Sequence, residues 1–390
     1  MRRLLLLVSV LVFVDTMLYA ALTPLLPHLV HEKSRAGILV AAYAAGALIG
    51  GLPGGVASVR IGARRAVLVG LAGMGLASLG FAFAGGFWSL FAARLVQGLG
   101  SGFTWAGAFA WLLAAAPGNR RGQLIGTAMG AAVFGALFGP VVGAAAALAG
   151  RATVFAALAT LSVVLGIWTL RIESVPEEEH PSIAAVTRAL RNRLFAAGLA
   201  LMALASLLFG VLSTLAPLHL ARAGWGAAAI GGLWLGGAAL ETFESPLIGR
   251  LSDRVGRLLP VRIGLCASAL VAGALALGLR PAVYAPLVVA SGMAFGSLFT
   301  PAFVLISDGA ERVRLAQGMA FGVMNAAWAL GAVVGPAAAG AIADATGDWF
   351  PYVLAAAACV VALASARSQH ERAAVLVDRL SGDAAGVGRQ

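Results

Sequence analysis

Four ionisable side chains lie inside long apolar runs of the sequence, where little water is available to solvate a charge. Three are acids and one is a base: Asp15, Glu241, Glu244 and Arg94. A charged group at membrane depth costs several kcal/mol unless it is paired or wetted. Such groups are therefore expected to serve a function, and their carboxylates could bind protons or cationic molecules.

Asp15 lies about eleven residues into the first apolar run, which places it about 17 Å along a helix, near the middle of a membrane. Because burial disfavours a charged carboxylate, the group is suited to taking up a proton. We expect it to face a central cavity and to bind a proton or a cationic substrate. The alternative is a purely structural ion pair with Arg94.

Glu241 and Glu244 are one helical turn apart, so both can face the same side. Two carboxylates so close together tend to share a proton, which suits a proton carrier or a cation site. Alternatively, Glu244 simply pairs with a loop arginine such as Arg250. Arg94 cannot release its proton, so it is expected to tune a neighbouring acid, to hold an anionic substrate, or to tie two helices together.

The elements that position these residues follow from the composition. The chain has 390 residues, of which 61% are hydrophobic and 11% charged, and its mean hydropathy is +0.93. Soluble domains carry about a quarter charged residues, so lipid must be the solvent. Apolar runs of about 20 residues, the length of a membrane span, occur near 4–27, 36–57, 66–85, 88–114, 122–147, 152–170, 194–217, 228–249, 260–279, 283–307, 315–341 and 349–366.

The net charge of +11 is distributed by loop and does not indicate nucleic-acid binding. If the N-terminus is placed in the cytoplasm, 21 of the 27 Lys and Arg residues lie in the loops or tails on the cytoplasmic side. This asymmetry obeys the positive-inside rule and predicts a multi-pass protein of the inner (cytoplasmic) membrane with both termini in the cytoplasm. Cys266 and Cys359 both lie in apolar spans, so neither a disulfide framework nor a metal site is expected.

The sequence repeats itself at a nearly constant offset. Gly55–Arg65 is echoed 194 positions later, and the segment beginning at Gly135 is echoed 196 positions later. Such offsets indicate duplication, and hence an all-α membrane protein of twelve transmembrane helices in two pseudo-symmetric six-helix bundles. The predicted divisions are a first bundle (1–170), a cytoplasmic linker (171–192), a second bundle (193–366) and a polar cytoplasmic tail (367–390).

Three motifs resemble those of one transporter family. The loop after span eight matches G-x-L-x-D-R-x-G-R, span four matches R-x-x-Q-G-x-G, and span five matches G-x-x-x-G-P-x-x-G. The matching residues are Gly249, Asp253, Arg254, Gly256 and Arg257; Arg94, Gln97, Gly98 and Gly100; and Gly135, Gly139, Pro140 and Gly143. The chain thus resembles the major facilitator superfamily over nearly its whole length, and is similar to its twelve-span drug:proton antiporter branch.

The resemblance implies roles for further residues. The loop motif latches the cytoplasmic side, and its first copy keeps Arg60, Gly62 and Arg64 but has Val59 in the acidic position. Asp253 would then supply the only acidic latch. The pairs Gly139-Pro140 and Gly335-Pro336 are expected to form rigid bends that pivot between states, or else plain packing kinks. The aromatic residues of the spans are expected either to line the cavity or to pack against lipid and other helices: Trp105, Phe109, Trp111, Phe134, Phe138, Trp234 and Phe243.

No catalytic signature is present, and the Gly-rich stretches lie in apolar spans, not in phosphate loops. We therefore expect a non-enzymatic, monomeric carrier that needs no cofactor, is driven by a proton gradient and binds a small-molecule substrate, protons and the lipid bilayer. The favoured function is export of amphipathic cationic or neutral organic molecules in exchange for protons. One alternative is proton-coupled import of an organic acid or sugar, and another is a non-transporting membrane sensor or scaffold.

Overall fold

The computed structural model describes residues 1–116, 121–173, 183–256, 258–315 and 317–366. Within these ranges every regular element is an α-helix, as long apolar runs without alternation predict. The prediction of an all-α membrane protein is confirmed. The predicted tail 367–390 and much of the predicted linker, 174–182, lie outside the described residues.

The helices follow the predicted spans with small shifts. The first and tenth spans are each divided into two consecutive helices, and the linker contains a short helix of good helix formers that we did not expect. In chain order the helices are α1 (Arg2–Ala20), α2 (Leu22–Leu29), α3 (Lys33–Ile61), α4 (Ala63–Phe83), α5 (Phe87–Ala115), α6 (Arg121–Ala149), α7 (Arg151–Leu170), α8 (Ile183–Leu190), α9 (Arg193–Arg222), α10 (Ala227–Val255), α11 (Leu258–Ala276), α12 (Pro281–Gly296), α13 (Phe299–Arg312), α14 (Gln317–Thr346) and α15 (Trp349–Ala366).

Ten spans of the described chain are long and apolar enough to cross a membrane, with α1–α2 and α12–α13 each counted as one. The two other helices of span length, α5 and α10, have 29 residues each. They are less apolar because α5 carries Arg94 and Gln97, whereas α10 carries Glu241 and Glu244. All twelve predicted spans therefore correspond to helical segments long enough to cross a membrane, and ten of them are also apolar enough.

Buried apolar side chains form two clusters that follow the repeat. The first is built from helices α1 to α7 together with Leu218 of α9, and in it α1 packs on α6 and α5 packs between α3 and α4. The second is built from α8 to α15, where α9 packs on α13 and α14, and α12 packs on α10 and α11. Between the clusters, α3 packs on α14 and α6 packs on α10.

Glycine allows these helices to approach closely. A Cβ on Gly46 of α3 would lie 2.9 Å from the Cα of Gly98 and 2.7 Å from the backbone nitrogen of Leu99 on α5. A Cβ on Gly98 would in turn lie 2.9 Å from the backbone nitrogen of Ala47. Lipid provides no hydrophobic force between helices, so close backbone packing through small residues is a main source of their association.

The two halves meet near one end of the bundle. We call the end that holds Met1 and Ala366 the termini face, and the opposite end, with Lys33 at the start of α3, the far face. The crossings of α3 with α14 and of α6 with α10 lie toward the far face. There a Cβ on Gly231 would lie 3.0 Å from the carbonyl oxygen of Pro140.

The same helix faces are open toward the termini face. Gly51 and Gly126 lie fourteen residues from Gly37 and Pro140, which is nearly four turns and about 21 Å along each helix. They therefore point in nearly the same direction as those interface residues, yet a Cβ at either would meet no atom of a described residue within 4 Å. Gly322 on α14 is equally open. The described contacts between the halves thus lie toward the far face, whereas these positions toward the termini face are open, as a central cleft accessible from the termini face requires.

Candidate functional site

Asp15 lies in the interior of the first half, with only 3% of its surface exposed. Its carboxylate accepts three hydrogen bonds from side chains of two other helices. Tyr43 on α3 donates its hydroxyl to Oδ1 at 2.9 Å. On α5, Ser101 donates to Oδ2 at 3.0 Å and the indole Nε1 of Trp105 donates to the same oxygen at 2.6 Å. The acid therefore faces polar partners and not lipid.

The α5 donors come from a single polar stripe. Arg94, Gln97, Ser101 and Trp105 follow one another at intervals of three or four residues, the spacing that places side chains on one face of a helix. This face turns toward α1, so the family motif residues and the two donors reach the same region. The spacing in the sequence could have identified Ser101 as part of the site.

Arg94 is 1% exposed, and it does not form the ion pair with Asp15 that we considered, although the structure describes both residues. Its guanidinium donates to the carbonyl oxygens of Leu18 and Tyr19, each at 3.0 Å, and to Oε1 of Gln97 at 3.2 Å. These carbonyls belong to the region where α1 gives way to α2. Arg94 thus fixes α5 against the end of α1, close to the acid but bonded to other groups.

Tyr43 joins the acid and the base, and sequence reasoning missed it. Its hydroxyl bonds Asp15, while the guanidinium of Arg94 lies 4.7 Å from the centre of its ring, within the range of a cation–π contact. Its ring also packs on Tyr19, which contacts Trp328 of the second half at 5.1 Å. A tyrosine in an otherwise apolar span, in a chain with only 4 tyrosines, was the available signal.

The bonding of Asp15 determines what it can do chemically. Hydrogen bonds from neutral donors, and not a bonded cation, compensate the negative charge of its carboxylate. Proton uptake would therefore leave no partner cation unpaired in the interior, which is the costly outcome when a buried ion pair is broken. The same oxygens can accept a hydrogen bond from a cationic ligand that displaces one donor. These contacts would allow the carboxyl group to change its charge without breaking an ion pair.

Glu241 lies in the second half, beside the break in the tenth span. A Cβ on Gly296, the last residue of α12, would lie 2.7 Å from Oε1 of Glu241. A larger residue there would require the Glu241 side chain to move. Glu244, one turn later, has its Oε2 enclosed without a hydrogen bond. The two acids are thus neighbours on α10, and they belong to a different half from the Asp15 cluster.

The loop-motif residues lie at the termini face. Gly62 and Gly256, which end α3 and α10, have φ of +91° and +80°, a region that favours glycine. The two copies of the motif therefore make the same kind of turn. Arg60 and Arg254 are exposed, and Arg64 donates to the carbonyl of Ile172 at 3.4 Å. Arg257 and the side chain of Asp253 lie outside the described part of the chain, as does the packing at Gly249.

Each Gly-Pro pair contacts both halves. Gly139 packs within the first half, where its Cβ would lie 2.9 Å from the carbonyl oxygen of Met17, while the carbonyl of Pro140 faces Gly231 of the second half. The second pair repeats this arrangement. Gly335 packs against Leu207 of its own half, and the carbonyl of Pro336 faces Gly37 across the interface.

The aromatic residues of the spans differ in their surroundings. Trp105 bonds Asp15 and stacks on Phe109 with ring centres 5.3 Å apart. Trp111 is fully buried and donates to the carbonyl of Glu173, so its role is packing. Three of the other rings are among the exposed apolar side chains: Phe134, Phe138 and Phe243.

Charged side chains hold the far face closed. Lys33 of the first half pairs with Asp348 of the second at 2.6 Å, and Arg222 donates to the same carboxylate at 3.2 Å. The carboxylate of Asp344 accepts the backbone N–H groups of Ser34 at 2.8 Å and of Lys33 at 3.3 Å. We call these five residues the far-face latch. Sequence reasoning missed it because its members are separated by up to 315 positions, from Lys33 to Asp348, and match no motif.

Comparison with known families agrees with this architecture. A family model described as the Major Facilitator Superfamily matches residues 5–318. Among curated proteins, an uncharacterized MFS-type transporter of Escherichia coli, YcaD, is 27% identical over 311 residues. The aligned region covers 77% of this chain and 77% of that protein.

Two solved structures share the fold. The nucleoside transporter NupG matches with a TM-score of 0.72 and 16% identity, covering 94% of this chain and 98% of that one. A bacterial homologue of the human lysosomal transporter Spinster, in an inward-facing and unoccupied conformation, matches with a TM-score of 0.74 and 14% identity, covering 93% and 94%. At these identities the likeness concerns the fold alone.

Proposed function

The chain belongs to the Major Facilitator Superfamily and is a membrane transporter, not an enzyme, and from that premise we propose that it exports amphipathic organic molecules in exchange for protons. The substrates are cationic or neutral, and the two halves rock about the central cleft to expose it to either side in turn. The protein acts as a monomer, with 1–170 and 193–366 as the moving bodies, and needs no cofactor besides the proton gradient.

The observation that carries this proposal is the Asp15 cluster. A carboxylate held by Tyr43, Ser101 and Trp105, without a bonded cation, can alternate between a protonated and a charged form. In the exchange cycle a proton or a cationic substrate occupies Asp15, but not both. Occupancy removes the charge, which lowers the cost of closing the cleft around it. The halves then move, and the occupant leaves on the other side.

Glu241 and Glu244 supply a second proton or cation site in the opposite half. Their positions one turn apart on α10, with Glu241 enclosed beside Gly296, bring two carboxyl groups into one local environment. Two such groups interact strongly enough to bind a proton as a pair. Substrate cations that enter from the termini face would meet this pair as well as Asp15.

The Gly-Pro pairs and the loop motifs control the motion. We assign Gly139-Pro140 and Gly335-Pro336 as rigid pivots, because each proline carbonyl packs across the interface that must open. Asp253, with Arg254, Arg257, Gly249 and Gly256, latches the termini face when it closes. The first copy, with Arg60, Gly62 and Arg64, has Val59 in place of the acid and contributes less to that latch.

The importer alternative relied on Arg94 as a clamp for an anionic substrate. Its NH1 and NH2 groups already donate to protein oxygens of Leu18, Tyr19 and Gln97. Its Nε is left without a hydrogen bond to a described residue, but it is enclosed in a side chain that is only 1% exposed. We therefore favour a positioning role for Arg94, in which it holds α1 and Tyr43 in place.

The direction of coupling can be measured in proteoliposomes with ethidium, a fluorescent organic cation. For one-for-one exchange, a gradient of about one pH unit with the acid inside should drive up to about tenfold ethidium accumulation. Protons flow out and ethidium flows in, whichever way the protein is inserted. Vesicles without protein, and vesicles treated with a protonophore, should show no accumulation. Accumulation driven only by acid outside would instead identify a proton symporter and refute export.

We further propose that the protein lies in the inner membrane of a bacterium with both termini in the cytoplasm, so that the far face is the outer face. The supporting observations are the arginine-rich loops of the termini face and the bacterial relative.

Cysteine labelling tests this orientation. In a background with Cys266→Ser and Cys359→Ser, a Glu32→Cys variant should react with a membrane-impermeant maleimide in cells whose inner membrane is intact. An Arg254→Cys variant should react only after lysis. Both sites are exposed in the structure, so the reverse pattern would overturn the orientation.

A further inference from the structure

A cavity of about 440 Å³ opens on the far face of the second half. It lies among α9, α11, α12 and α15, and residues 275–278 form one wall. Its volume falls in the range of small-molecule binding sites, which is about 300–1,000 Å³. The Asp15 cluster contributes no residue to it.

Aromatic rings form much of the lining. His219 stacks on Tyr284 with ring centres 4.2 Å apart, and the hydroxyls of Tyr284 and Tyr352 are hydrogen-bonded at 2.9 Å. Both tyrosines are buried, whereas Trp349 is 51% exposed at the opening. The indole of Trp349 is therefore the aromatic face that a ligand can reach, and such a face attracts organic cations.

Asp348 is the acid of this lining, and it is also the centre of the far-face latch. Its carboxylate pairs with Lys33 at 2.6 Å and with Arg222 at 3.2 Å, and it lies 4.0 Å from Nδ1 of His219. Among the described lining residues Asp348 alone carries a full charge, because Lys33 and Arg222 do not line the cavity. A cationic ligand can reach its carboxylate by taking the place of one of these two cations. The lining therefore favours a cation with an apolar or aromatic body.

We propose that this cavity is a second ligand site, which binds an organic cation from the far-face side with Asp348 as its counter-ion. The bound cation takes the place of Lys33 at the carboxylate. Because Lys33 is the latch residue that reaches Asp348 from the first half, ligand binding loosens the closed far face. Asp344 keeps its bonds to the backbone of Ser34 and Lys33, so the latch weakens but does not fail entirely.

The first test is calorimetric titration of the purified full-length protein with benzyltrimethylammonium, a cation with an aromatic body. Neopentylbenzene, its neutral carbon analogue, and benzoate should not bind. Asp348→Asn should weaken binding by about tenfold or more, since it removes the counter-ion. Asp344→Asn removes the same charge from the latch but does not line the cavity, so it should retain the affinity to within about twofold. Equal loss in both variants, or equal binding of the neutral analogue, would overturn the site.

Competition with Lys33 gives the second test. Lys33→Gln should tighten benzyltrimethylammonium binding by about threefold to tenfold, since it removes the competing ammonium group. Arg35→Gln is the matched control, because Arg35 is a nearby cation that pairs with Glu32 at 2.8 Å and not with Asp348. Unchanged affinity in Lys33→Gln would refute the link to the latch. If Asp15→Asn abolishes binding and Asp348→Asn does not, the cation binds in the central cluster. That result would overturn this proposal and leave the proposed function standing.

Discussion

Replacing Asp15 by asparagine is expected to abolish substrate-driven proton movement in proteoliposomes. The amide has almost the same shape as the carboxyl group but cannot take up a proton or carry a charge. Its NH₂ group would also confront donors, because Tyr43, Ser101 and Trp105 all donate to this position. The measurement is the change in a luminal pH dye when ethidium is added to vesicles of the variant and of the wild type.

Glu32→Gln is the matched control, since it makes the same acid-to-amide change at an exposed residue of the far face. It should retain coupling close to that of the wild type. Asp15→Asn vesicles are expected to equilibrate ethidium passively at best, without an accompanying pH change. If the variant still moved protons on addition of substrate, Asp15 would not be the coupling group, and the Glu241 and Glu244 pair would take its place as the candidate.

Gly98→Ala is expected to cause the largest loss of stability of any single methyl addition in α5. Its Cβ would meet the carbonyl of Tyr43 and lie 2.9 Å from the backbone nitrogen of Ala47, so α3 and α5 would have to move apart. Forcing an atom into such a contact costs about 1–3 kcal/mol or more. The displacement would also disturb Tyr43, which bonds Asp15 from the same turn of α3. Thermal unfolding of detergent-purified protein, followed by fluorescence-detected size exclusion, measures the loss.

Gly51→Ala provides the comparison for this variant. Gly51 lies on α3, the helix that Gly98 touches, but a Cβ there would meet nothing within 4 Å. Because alanine is the better helix former by about 1 kcal/mol, Gly51→Ala should melt at the same temperature as the wild type or above it. Equal melting temperatures for the two variants would show that the contact between α3 and α5 is not a source of stability.

Several features could be predicted from the sequence because each depends on local composition. Lipid favours apolar residues in the spans, and arginines are concentrated in the cytoplasmic loops. Apolar runs therefore identify the spans, and clustered arginines identify the loops. Acids at Asp15, Glu241 and Glu244 stand out because charge is costly in such runs. Gly62 and Gly256 were identified instead through the family's loop motif, and both end a helix at a positive φ. The motifs of spans four and five also indicated the family correctly.

The partners of these residues could not be predicted. In an amphipathic helix of a soluble protein, the apolar stripe shows which face is buried, but these spans are apolar on nearly every side. The sequence therefore does not show how each helix is rotated about its axis, or which of its side chains face another helix. For this reason Tyr43 was missed as the partner of Asp15, and the ion pair between Asp15 and Arg94 was considered although Arg94 bonds the carbonyls of Leu18 and Tyr19 instead.

The sequence by itself determined that the protein lies in lipid, that it is helical, that its two halves repeat each other and which few charged residues lie inside the spans. The tertiary structure alone decided which charged groups contact each other, at which face the two halves meet and where the far-face latch lies. The physical reason is the distance along the chain over which each effect acts. Burial in lipid acts on each residue separately, whereas hydrogen bonds and ion pairs depend on how separate helices pack, and here that packing is set by close backbone contacts at glycines distributed over both halves.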